Sequence, residues 1–316
     1  MRDLVKEPIR TLFLGSSWES VETLKVLDKD PRFDMVGVIT TIDKPVGRKR
    51  VMTPSRVKSC ALKHRIRVFH TEKDKKKYRK ALAIFNPELI VCKAFGEIVP
   101  EFFIEYPKYK AINVHFSILP QYRGAVPIQK AILEGEDETG ISIMLMSKGL
   151  DEGDILKIFK EPILPNDSNL SLRKRLVEKS AEILGNVLED WIHGNIEPKP
   201  QDDSKATYCW QKEISKENAQ IDWESMEPEY IERMVRAFIP WPIAWTVWNG
   251  KRIKIFDIEL VECKNEKKAG ELFVSNENLF FATKDRETCV KVNRLQIAGK
   301  KRMGAEEFLN GFRNQL

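Results

Sequence analysis

Cysteine and histidine are scarce in this sequence, and their spacing excludes two kinds of site. The chain has 5 cysteines and 4 histidines in 316 residues. No cysteines form a C-x-x-C pair, and no histidines stand at the short spacings that metal ligands usually have. We therefore expect no disulfide framework, no zinc or other metal site, and a reducing compartment.

Long apolar runs and low-complexity tracts are missing as well. The charged start, MRDLVKEPIR, is followed by no apolar stretch long enough for a signal peptide or a membrane span, so we expect a cytoplasmic protein. With 42% hydrophobic and 32% charged residues, the chain is globular rather than disordered. Its net charge of +6 permits a polyanionic partner without requiring one.

Three glycine motifs are also absent. After the first apolar segment the sequence reads LGSSWES, which has one glycine where the dinucleotide-binding pattern G-x-G-x-x-G needs three. The phosphate-binding pattern G-x-x-x-x-G-K-[ST] and the nucleophile pattern G-x-S-x-G do not occur. These absences argue against a nicotinamide oxidoreductase, a nucleoside triphosphatase and a serine hydrolase.

Short apolar segments alternate with helical patterns in the first two-thirds of the chain. We predict strands at residues 9–14, 35–39, 68–69, 89–92, 111–114, 141–146 and 155–159, and a long amphipathic helix at 170–192. This alternation predicts a doubly wound, mostly parallel α/β sheet. Such sheets bind their ligands beyond the carboxyl ends of the strands.

The pattern changes after a segment rich in proline, aspartate and lysine. From residue 250 onward, short strands separated by polar turns predict a small antiparallel, OB-like β-barrel. We therefore expect a catalytic domain at 1–193, a linker at 194–206 and a β-barrel domain at 207–316. Its basic residues favour RNA binding by the barrel.

Polar side chains stand where the predicted sheet would collect them at one edge. Asn113 and His115 are two residues apart at the end of the strand AINV, so both side chains face the same way. Asp151 lies in the segment GLDEGD, whose glycines allow tight turns. An amide donor, an imidazole and a carboxylate suit the attack of an amine on a carbonyl, without a metal or a covalent intermediate.

Each of these features has an ordinary structural explanation when taken alone. An Asn-x-His pair at a strand end is more often a turn with satisfied hydrogen bonds, and Gly-x-Asp is usually a turn. The joint pattern, NVHFSILPQYRGAVPIQ followed by TGISIMLMSKGLDEGDIL, favours a catalytic site instead.

This joint pattern closely resembles the methionyl-tRNA formyltransferase family, and the similarity covers nearly the whole chain in order. IRTLFLGSS, AFGEIVP, IDW and RAFIPWPIAW resemble further elements of the same family. The resemblance implies transfer of a formyl group from 10-formyltetrahydrofolate to initiator methionyl-tRNA, for translation initiation, with Asn113, His115 and Asp151 as the catalytic set. It also implies a folate pocket formed by Phe95, Gly96, Ser117, Leu119, Pro120, Lys148, Gly149 and Leu150.

Two residues depart from the family pattern. Phe116 stands where a small residue is usual, and Lys93 stands where an apolar residue is usual. A buried lysine is costly unless it reaches solvent or a partner. Neither change removes a catalytic group, but both bear on folate affinity and on the shape of the pocket.

The basic segment DKPVGRKRVMTPSRVK, at residues 43–58, bears on the identity of the acceptor. Its glycine and prolines favour a loop, and an isolated run of charge is usually a solvated loop. The segment resembles the basic loop inserted in the family, which implies tRNA binding by Lys44, Arg48, Lys49 and Arg50. A formyltransferase acting on an amino sugar nucleotide and a non-catalytic folate- or RNA-binding relative stay open as alternatives. We expect a monomer with no membrane partner.

Overall fold

A computed structural model of the chain describes residues 7–47 and 49–316. The described residues form two compact units. Unit 1 comprises those of Met1–Arg123, Gly140–Glu161 and Lys174–Tyr208, and unit 2 comprises Gly124–Thr139, Pro162–Arg173 and Cys209–Leu316. The linear domain boundaries given above stay a prediction.

The helices are named in chain order. They are α1 (Glu19–Lys29), α2 (Arg56–Lys63), α3 (Lys75–Phe85), α4 (Glu101–Ile104), α5 (Pro127–Glu134), α6 (Asn169–Ile192), α7 (Pro228–Ala237) and α8 (Ala305–Phe312), with 3₁₀ turns at Asp203–Lys205, Gln211–Glu213 and Arg313–Gln315.

The strands are named in the same way. They are β1 (Ile9–Gly15), β2 (Phe33–Ile39), β3 (Lys44–Val46), β4 (Val51–Thr53), β5 (Val68–Phe69), β6 (Leu89–Lys93), β7 (Ala111–His115), β8 (Arg123–Gly124), β9 (Glu138–Leu145), β10 (Ile155–Pro162), β11 (Tyr208–Cys209), β12 (Trp245–Trp248), β13 (Lys251–Glu262), β14 (Leu272–Ser275), β15 (Asn278–Ala282), β16 (Thr288–Ile297) and β17 (Met303–Gly304).

A seven-stranded sheet in the order β10-β9-β7-β6-β1-β2-β5 forms the centre of unit 1. Five neighbouring strands of this sheet, β7, β6, β1, β2 and β5, are parallel to one another. Strand β9 runs antiparallel to β7. Every residue of β6 is buried, as expected for a strand covered on both faces. The prediction of a doubly wound, mostly parallel sheet is confirmed.

Alternate residues of β6 and β7 face opposite sides of this sheet. On one side, Ile90 and Cys92 belong to a buried cluster with Tyr78 and Phe85 of α3. On the other side, the buried Lys93 reaches Thr23 of α1. The sheet therefore separates two cores, and the polar residues of β7 share a side with Cys92.

The prediction that the basic segment is loop-like was wrong for most of its length. Lys44–Val46 and Val51–Thr53 pair as an antiparallel hairpin, and α2 begins at Arg56. Valine and threonine favour extended structure, and Ser55 caps the helix by accepting a hydrogen bond from the backbone N–H of Lys58 at 2.9 Å. The short, exposed strands lack the buried alternation by which a hairpin is usually predicted.

Unit 2 contains an antiparallel sheet in the order β12-β13-β16-β15-β14, with β17 paired to β16. The long strands β13 and β16 pair along most of their length, with register shifts near Asp257. Such shifts bend and twist a strand, and here the sheet curves into a half-barrel. This confirms the predicted class of the second sheet, although α7 and α8 were not predicted.

The cysteine spacing predicts no disulfide framework, yet the structure joins one pair of cysteines. Cys263 and Cys289 form a disulfide, with their Cα atoms 5.4 Å apart. They are 26 residues apart in sequence, a spacing typical of no motif. The register of β13 and β16, which pairs Val261 with Cys289, brings them together at the end of β13.

Candidate active site

The carboxyl end of β7 carries the two polar residues predicted from the sequence. Asn113 and His115 occupy alternate positions of the strand, and Asn113 pairs in register with Cys92 of β6. Nδ2 of Asn113 donates to Oδ1 of Asp151 at 3.2 Å. The structure therefore brings the amide and the carboxylate together, although they are separated by 38 residues in sequence.

His115 is buried and is oriented by one backbone carbonyl. Its Nε2 atom lies 2.9 Å from the carbonyl oxygen of Tyr122, which can only accept, so Nε2 carries the proton. Its Nδ1 atom faces Oδ2 of Asp151 at 3.5 Å. A neutral Nδ1 and a carboxylate oxygen are both acceptors, so this contact becomes a hydrogen bond only when one of the two atoms carries a proton. The imidazole and the carboxylate thus lie close enough for a proton to pass between them.

Asp151 lies in a tight loop between β9 and β10. Its φ is 52°, in the left-handed region, which aspartate tolerates better than most residues. A Cβ atom on Gly153 would lie 2.0 Å from the carbonyl oxygen of Leu145, so glycine is required for this close approach. The loop is thereby drawn against β9, and its carboxylate lies beside β7.

Cys92 is a thiol on the same side of the sheet, but it is not an activated nucleophile. Burial raises the pKa of Cys92 to about 12, and the charge of Asp151 acts in the same direction. The thiol is therefore protonated at neutral pH, whereas the thiolate is the reactive form. This favours direct transfer between two substrates over a covalent intermediate on Cys92.

The residues predicted to bind folate lie in loops that follow the strands. Phe95 is buried directly after β6, whereas Gly96 has a φ of 81° and open space where a Cβ atom would lie. Lys148 is highly exposed, and Leu150 is 45% exposed beside Gly149. These residues line an accessible edge of the sheet, but their contact with folate stays a prediction.

The other predicted folate residues belong to the loop after β7. The hydroxyl of Ser117 donates to the carbonyl of Gln121 at 2.6 Å. The hydroxyl of Ser142 donates to the Ser117 carbonyl at 2.7 Å and accepts from the Leu119 N–H at 3.1 Å. The Leu119–Pro120 peptide bond is cis. These contacts give the loop a defined shape, whereas binding of folate by its side chains stays a prediction.

The two departures from the family pattern are in contact with each other. Nζ of Lys93 donates to the hydroxyls of Thr23 at 2.9 Å and Ser180 at 2.6 Å, and it lies 4.9 Å from the centre of the Phe116 ring. The buried lysine therefore has polar partners and an aromatic face over its charge. Because Lys93 faces away from Cys92, this pair lies on the side of the sheet opposite the polar residues of β7.

Three of the four basic residues predicted to bind tRNA lie on the hairpin of β3 and β4. Lys44, Lys49 and Arg50 are exposed, and Arg48 lies outside the described residues. The hairpin follows β2, and the carboxyl ends of β2 and β7 lie at one edge because the strands between them are parallel. The exposed charges thus follow the strand ends at the edge that carries Asn113.

Sequence reasoning missed two residues beside Asp151. Arg123 is fully buried and contacts Gln201, whose side chain reaches the loop of Asp151. Arg123 stands within the motif LPQYRG and could have been selected from it, whereas Gln201 lies in the predicted linker. Within the described part of the chain, no group of His, Cys, Asp and Glu side chains could hold a metal ion. No helix among the described residues is long and apolar enough to cross a membrane.

Two family models match the chain. The model described as formyl transferase matches residues 10–188, and the model of the formyl transferase C-terminal domain matches residues 213–313. Methionyl-tRNA formyltransferase of Halalkalibacterium halodurans is 43% identical over 309 residues, which cover 98% of this chain and 96% of that protein. The enzyme of the same name from Bacillus cytotoxicus is 39% identical, with coverage of 98% and 97%.

Solved structures share the fold at lower identity. HypX from Aquifex aeolicus in complex with tetrahydrofolic acid aligns with a TM-score of 0.64 at 19% identity, over 96% of this chain and 47% of that one. WlaRD, a sugar 3N-formyl transferase, aligns with a TM-score of 0.66 at 20% identity, over 93% and 99% of the two chains. At these identities the likeness shows the fold alone.

Proposed function

Because this chain belongs to the methionyl-tRNA formyltransferase family, we propose that Asn113, His115 and Asp151 carry out its formyl transfer. The enzyme moves the formyl group of 10-formyltetrahydrofolate to the amino group of methionyl-tRNA. In this reaction the amine nitrogen forms a bond to the formyl carbon, the bond from that carbon to N10 breaks, and a proton moves from the amine to N10. In this proposal each of the three residues assists one part of the change.

Asn113 stabilises the oxyanion of the tetrahedral intermediate. Its amide group has two hydrogens, of which one is directed at Oδ1 of Asp151. The second hydrogen is the donor for the formyl oxygen, on which negative charge develops during the attack. Asn113 is held in place by a strand and by Asp151, so the donor needs little reorganisation when that charge appears.

His115 and Asp151 handle the proton. The Nε2–H of His115 is committed to the Tyr122 carbonyl, so Nδ1 is the atom that faces Asp151 and can accept a proton. When the attacking amine loses its proton, the carboxylate can receive it and Nδ1 can share it. The same pair then returns the proton to N10 as the formyl carbon separates from it.

In this proposal the folate substrate binds at the loops that follow β6 and β9. Gly96 leaves open space beside the backbone after β6, and the segment from Lys148 to Leu150 presents exposed groups. We assign Phe95, Gly96, Lys148, Gly149 and Leu150 to this pocket. The buried loop from Ser117 to Pro120 then gives the pocket its wall.

The acceptor end of the tRNA reaches the site past the hairpin of β3 and β4. Lys44, Arg48, Lys49 and Arg50 are assigned to its phosphates, and exposed cations in the C-terminal residues 207–316 are assigned to the rest of the tRNA. Phosphate contacts supply most of the sequence-independent affinity for nucleic acid. The support is the exposure of Lys44, Lys49 and Arg50, which stand on a hairpin rather than in a packed core.

The protein is assigned to the cytoplasm, where charged tRNA and folate meet the translation machinery. It is assigned as a monomer, because Asn113, His115 and Asp151 all come from one chain and the set needs no second copy. Sedimentation at micromolar concentration should give the mass of one chain, 36.6 kDa. Sedimentation at twice that mass would contradict the assignment.

The observation that carries the catalytic proposal is the convergence of Asn113 and His115 on the two oxygens of Asp151. The test is transfer of labelled formyl from 10-formyltetrahydrofolate to charged initiator methionyl-tRNA, with an amino sugar nucleotide and water as competing acceptors. We expect fast, salt-sensitive labelling of the tRNA. Label on the sugar alone would favour the sugar alternative, whose present support is a shared fold at 20% identity.

A further inference from the structure

Gln201 lies in the segment predicted as a linker, yet its side chain is hydrogen-bonded to the loop of Asp151. Its Nε2 atom donates to the carbonyl oxygen of Asp151 at 2.9 Å and to that of Gly153 at 2.7 Å. Its Oε1 atom accepts from Arg123, from Nε at 3.0 Å and from one terminal nitrogen at 2.8 Å. Both hydrogens and both lone pairs of the amide are therefore used.

The orientation of this amide follows from its partners alone. A guanidinium can only donate and a backbone carbonyl can only accept, so reversing the oxygen and nitrogen of Gln201 would break all four contacts. Gln201 is thus a fixed connection between the cation of Arg123 and the backbone of Asp151 and Gly153, in the loop where Asp151 has its left-handed φ. A left-handed aspartate persists only where its surroundings hold it.

Arg123 anchors the other end of the connection. Its side chain is 2% exposed and meets the carboxylate of Asp203 at 2.7 Å. Its backbone N–H donates to the carbonyl of Thr207 at 2.8 Å, and the N–H of Tyr122 donates to the Thr207 hydroxyl at 2.8 Å. The carbonyl of Tyr122 is the group that orients His115. The segment from Gln201 to Thr207 therefore contacts the supports of both proton-handling residues.

We propose that Gln201 and Arg123 are positioning residues that hold Asp151 against Asn113 and His115. This inference rests on the catalytic roles proposed above. Neither residue touches the reacting atoms in this arrangement. They affect the reaction indirectly. By holding the loop backbone, they set the position of the Asp151 carboxylate.

The test compares two substitutions at Gln201. Gln201→Glu keeps two acceptor oxygens for Arg123 but, ionised beside that cation, it has no hydrogen for the two loop carbonyls. Gln201→Met keeps the length of the side chain and removes all four hydrogen bonds, while Arg123 keeps Asp203 and the hydroxyl of Tyr208 as partners. Gln211→Glu, at an exposed position, is the matched control for the added charge.

We expect kcat to fall about 10²-fold in Gln201→Glu, the loss typical of a catalytic group displaced by about 1 Å. The KM values for folate and tRNA should change little, and the pH dependence of kcat should shift because Asp151 and His115 no longer share a proton at the same distance. Gln201→Met should lower kcat in the same direction. Gln211→Glu should match the wild type in all three measurements.

A double-mutant cycle separates a positioning role from a general loss of stability. If Gln201 acts through Asp151, adding Gln201→Glu to Asp151→Asn should cost almost nothing further, whereas independent effects would multiply. Asp203→Ala is a milder substitution at a site that is 81% exposed, so it leaves the fold intact while loosening Arg123. We expect kcat to fall by about 3- to 10-fold in this variant, the effect of weakening one charged hydrogen bond, and KM to stay unchanged.

The outcomes distinguish this inference from the proposed function. Normal kcat and a normal pH profile in Asp203→Ala and in the folded Gln201 variants would overturn the positioning role, even if Asp151→Asn were inactive. A multiplicative cycle would overturn it as well. Absence of formyl transfer to methionyl-tRNA by the wild-type protein would instead remove the proposed function on which the inference depends.

Discussion

Asn113 shows how much a single side chain can do at a strand end. It is half-buried, it is anchored to Asp151 through one amide hydrogen, and its other hydrogen is the proposed oxyanion donor. We expect Asn113→Ala to lower kcat about 10²- to 10³-fold, the usual loss for one such donor. Steady-state kinetics with labelled folate would measure this, with the exposed Asn195→Ala as the control. A wild-type rate in Asn113→Ala would remove the residue from the catalytic set.

Lys93 is the residue whose burial has the clearest cost. Burial lowers the pKa of Lys93 to about 7 from an ordinary value of 10.5, against the opposing charges of Glu19 and Glu22. Between these two pH values the unfolded chain binds a proton that the folded protein lacks, so this lysine makes stability rise with pH. This contribution to the free energy of unfolding is fully present above pH 10.5 and is lost as pH falls toward 7.

The variant Lys93→Met tests this linkage. It removes the titration and keeps an apolar chain between the sheet and the hydroxyls of Thr23 and Ser180. The free energy of unfolding of the wild type should rise by about 1.4 kcal/mol per pH unit relative to the variant between pH ~7.5 and ~9. Urea unfolding at several pH values would measure the difference, and the exposed Lys63→Met should leave the slope unchanged. Parallel curves for wild type and Lys93→Met would contradict the account.

At the scale of elements, the hairpin of β3 and β4 is the part of unit 1 that we propose binds tRNA. Replacing Lys44, Lys49 and Arg50 with alanine should raise KM for tRNA and reduce the salt dependence of that KM by about 0.7 to 0.9 for each phosphate that the variant no longer neutralises. KM for folate should stay the same. The measurement is initial rate against tRNA concentration at several salt concentrations.

The chain offers a charge-matched control for the hairpin. Lys63 is the last residue of α2, and Lys108 and Lys110 precede β7, so all three lie toward the amino ends of the parallel strands. They are exposed, and their replacement with alanine removes the same charge from the opposite edge of the sheet. Equal effects of the two triple variants would show that net charge, rather than the hairpin, sets the affinity for tRNA.

Prediction of these elements succeeded where the pattern was local. Asn113 and His115 share a side of β7 because strands alternate, and that relation is visible in five residues of sequence. The hairpin escaped prediction because its strands have three residues each and are fully exposed. On α6, Leu184 is buried whereas the adjacent Ile183 is partly exposed, since one position is a rotation of about 100° and a periodic pattern places the buried face only to within a residue.

Contacts between distant parts of the chain could not be predicted in this way. Gln201 meets the Asp151 carbonyl across 50 residues, and Arg123 meets Gln201 across 78. Neither contact produces a periodic pattern in the sequence, because the amide of one side chain, that of Gln201, makes both contacts. The disulfide of Cys263 and Cys289 likewise depends on the register of two strands, which composition does not report. The sequence therefore predicted which polar side chains share this edge of the sheet, but not the residues that support them.

At the scale of the whole molecule, exposed basic residues occur in both units, and the question is whether both meet the same tRNA. In unit 2, Arg294, Lys300 and Lys301 are exposed, whereas Lys291 is paired with Glu259 at 3.2 Å. The exposed three are therefore the better candidates for phosphate contacts. Lys264, Lys268 and Arg286 are exposed in the same unit and provide a control of equal charge.

Combining the hairpin variant with an alanine variant of Arg294, Lys300 and Lys301 tests whether the two units act together. If each set binds phosphates of one tRNA, the two reductions in salt slope should add, as effects at separate sites usually do. The combined variant would then neutralise up to about six fewer phosphates, and the salt dependence of its KM for tRNA would be weaker than in either single-unit variant. If the variant of unit 2 behaves like its control, recognition lies in unit 1 and the basic residues of the half-barrel serve solubility.

Because kcat at saturating tRNA depends on the groups around Asp151, it should stay constant through the whole series. This constancy separates binding of the acceptor from transfer of the formyl group.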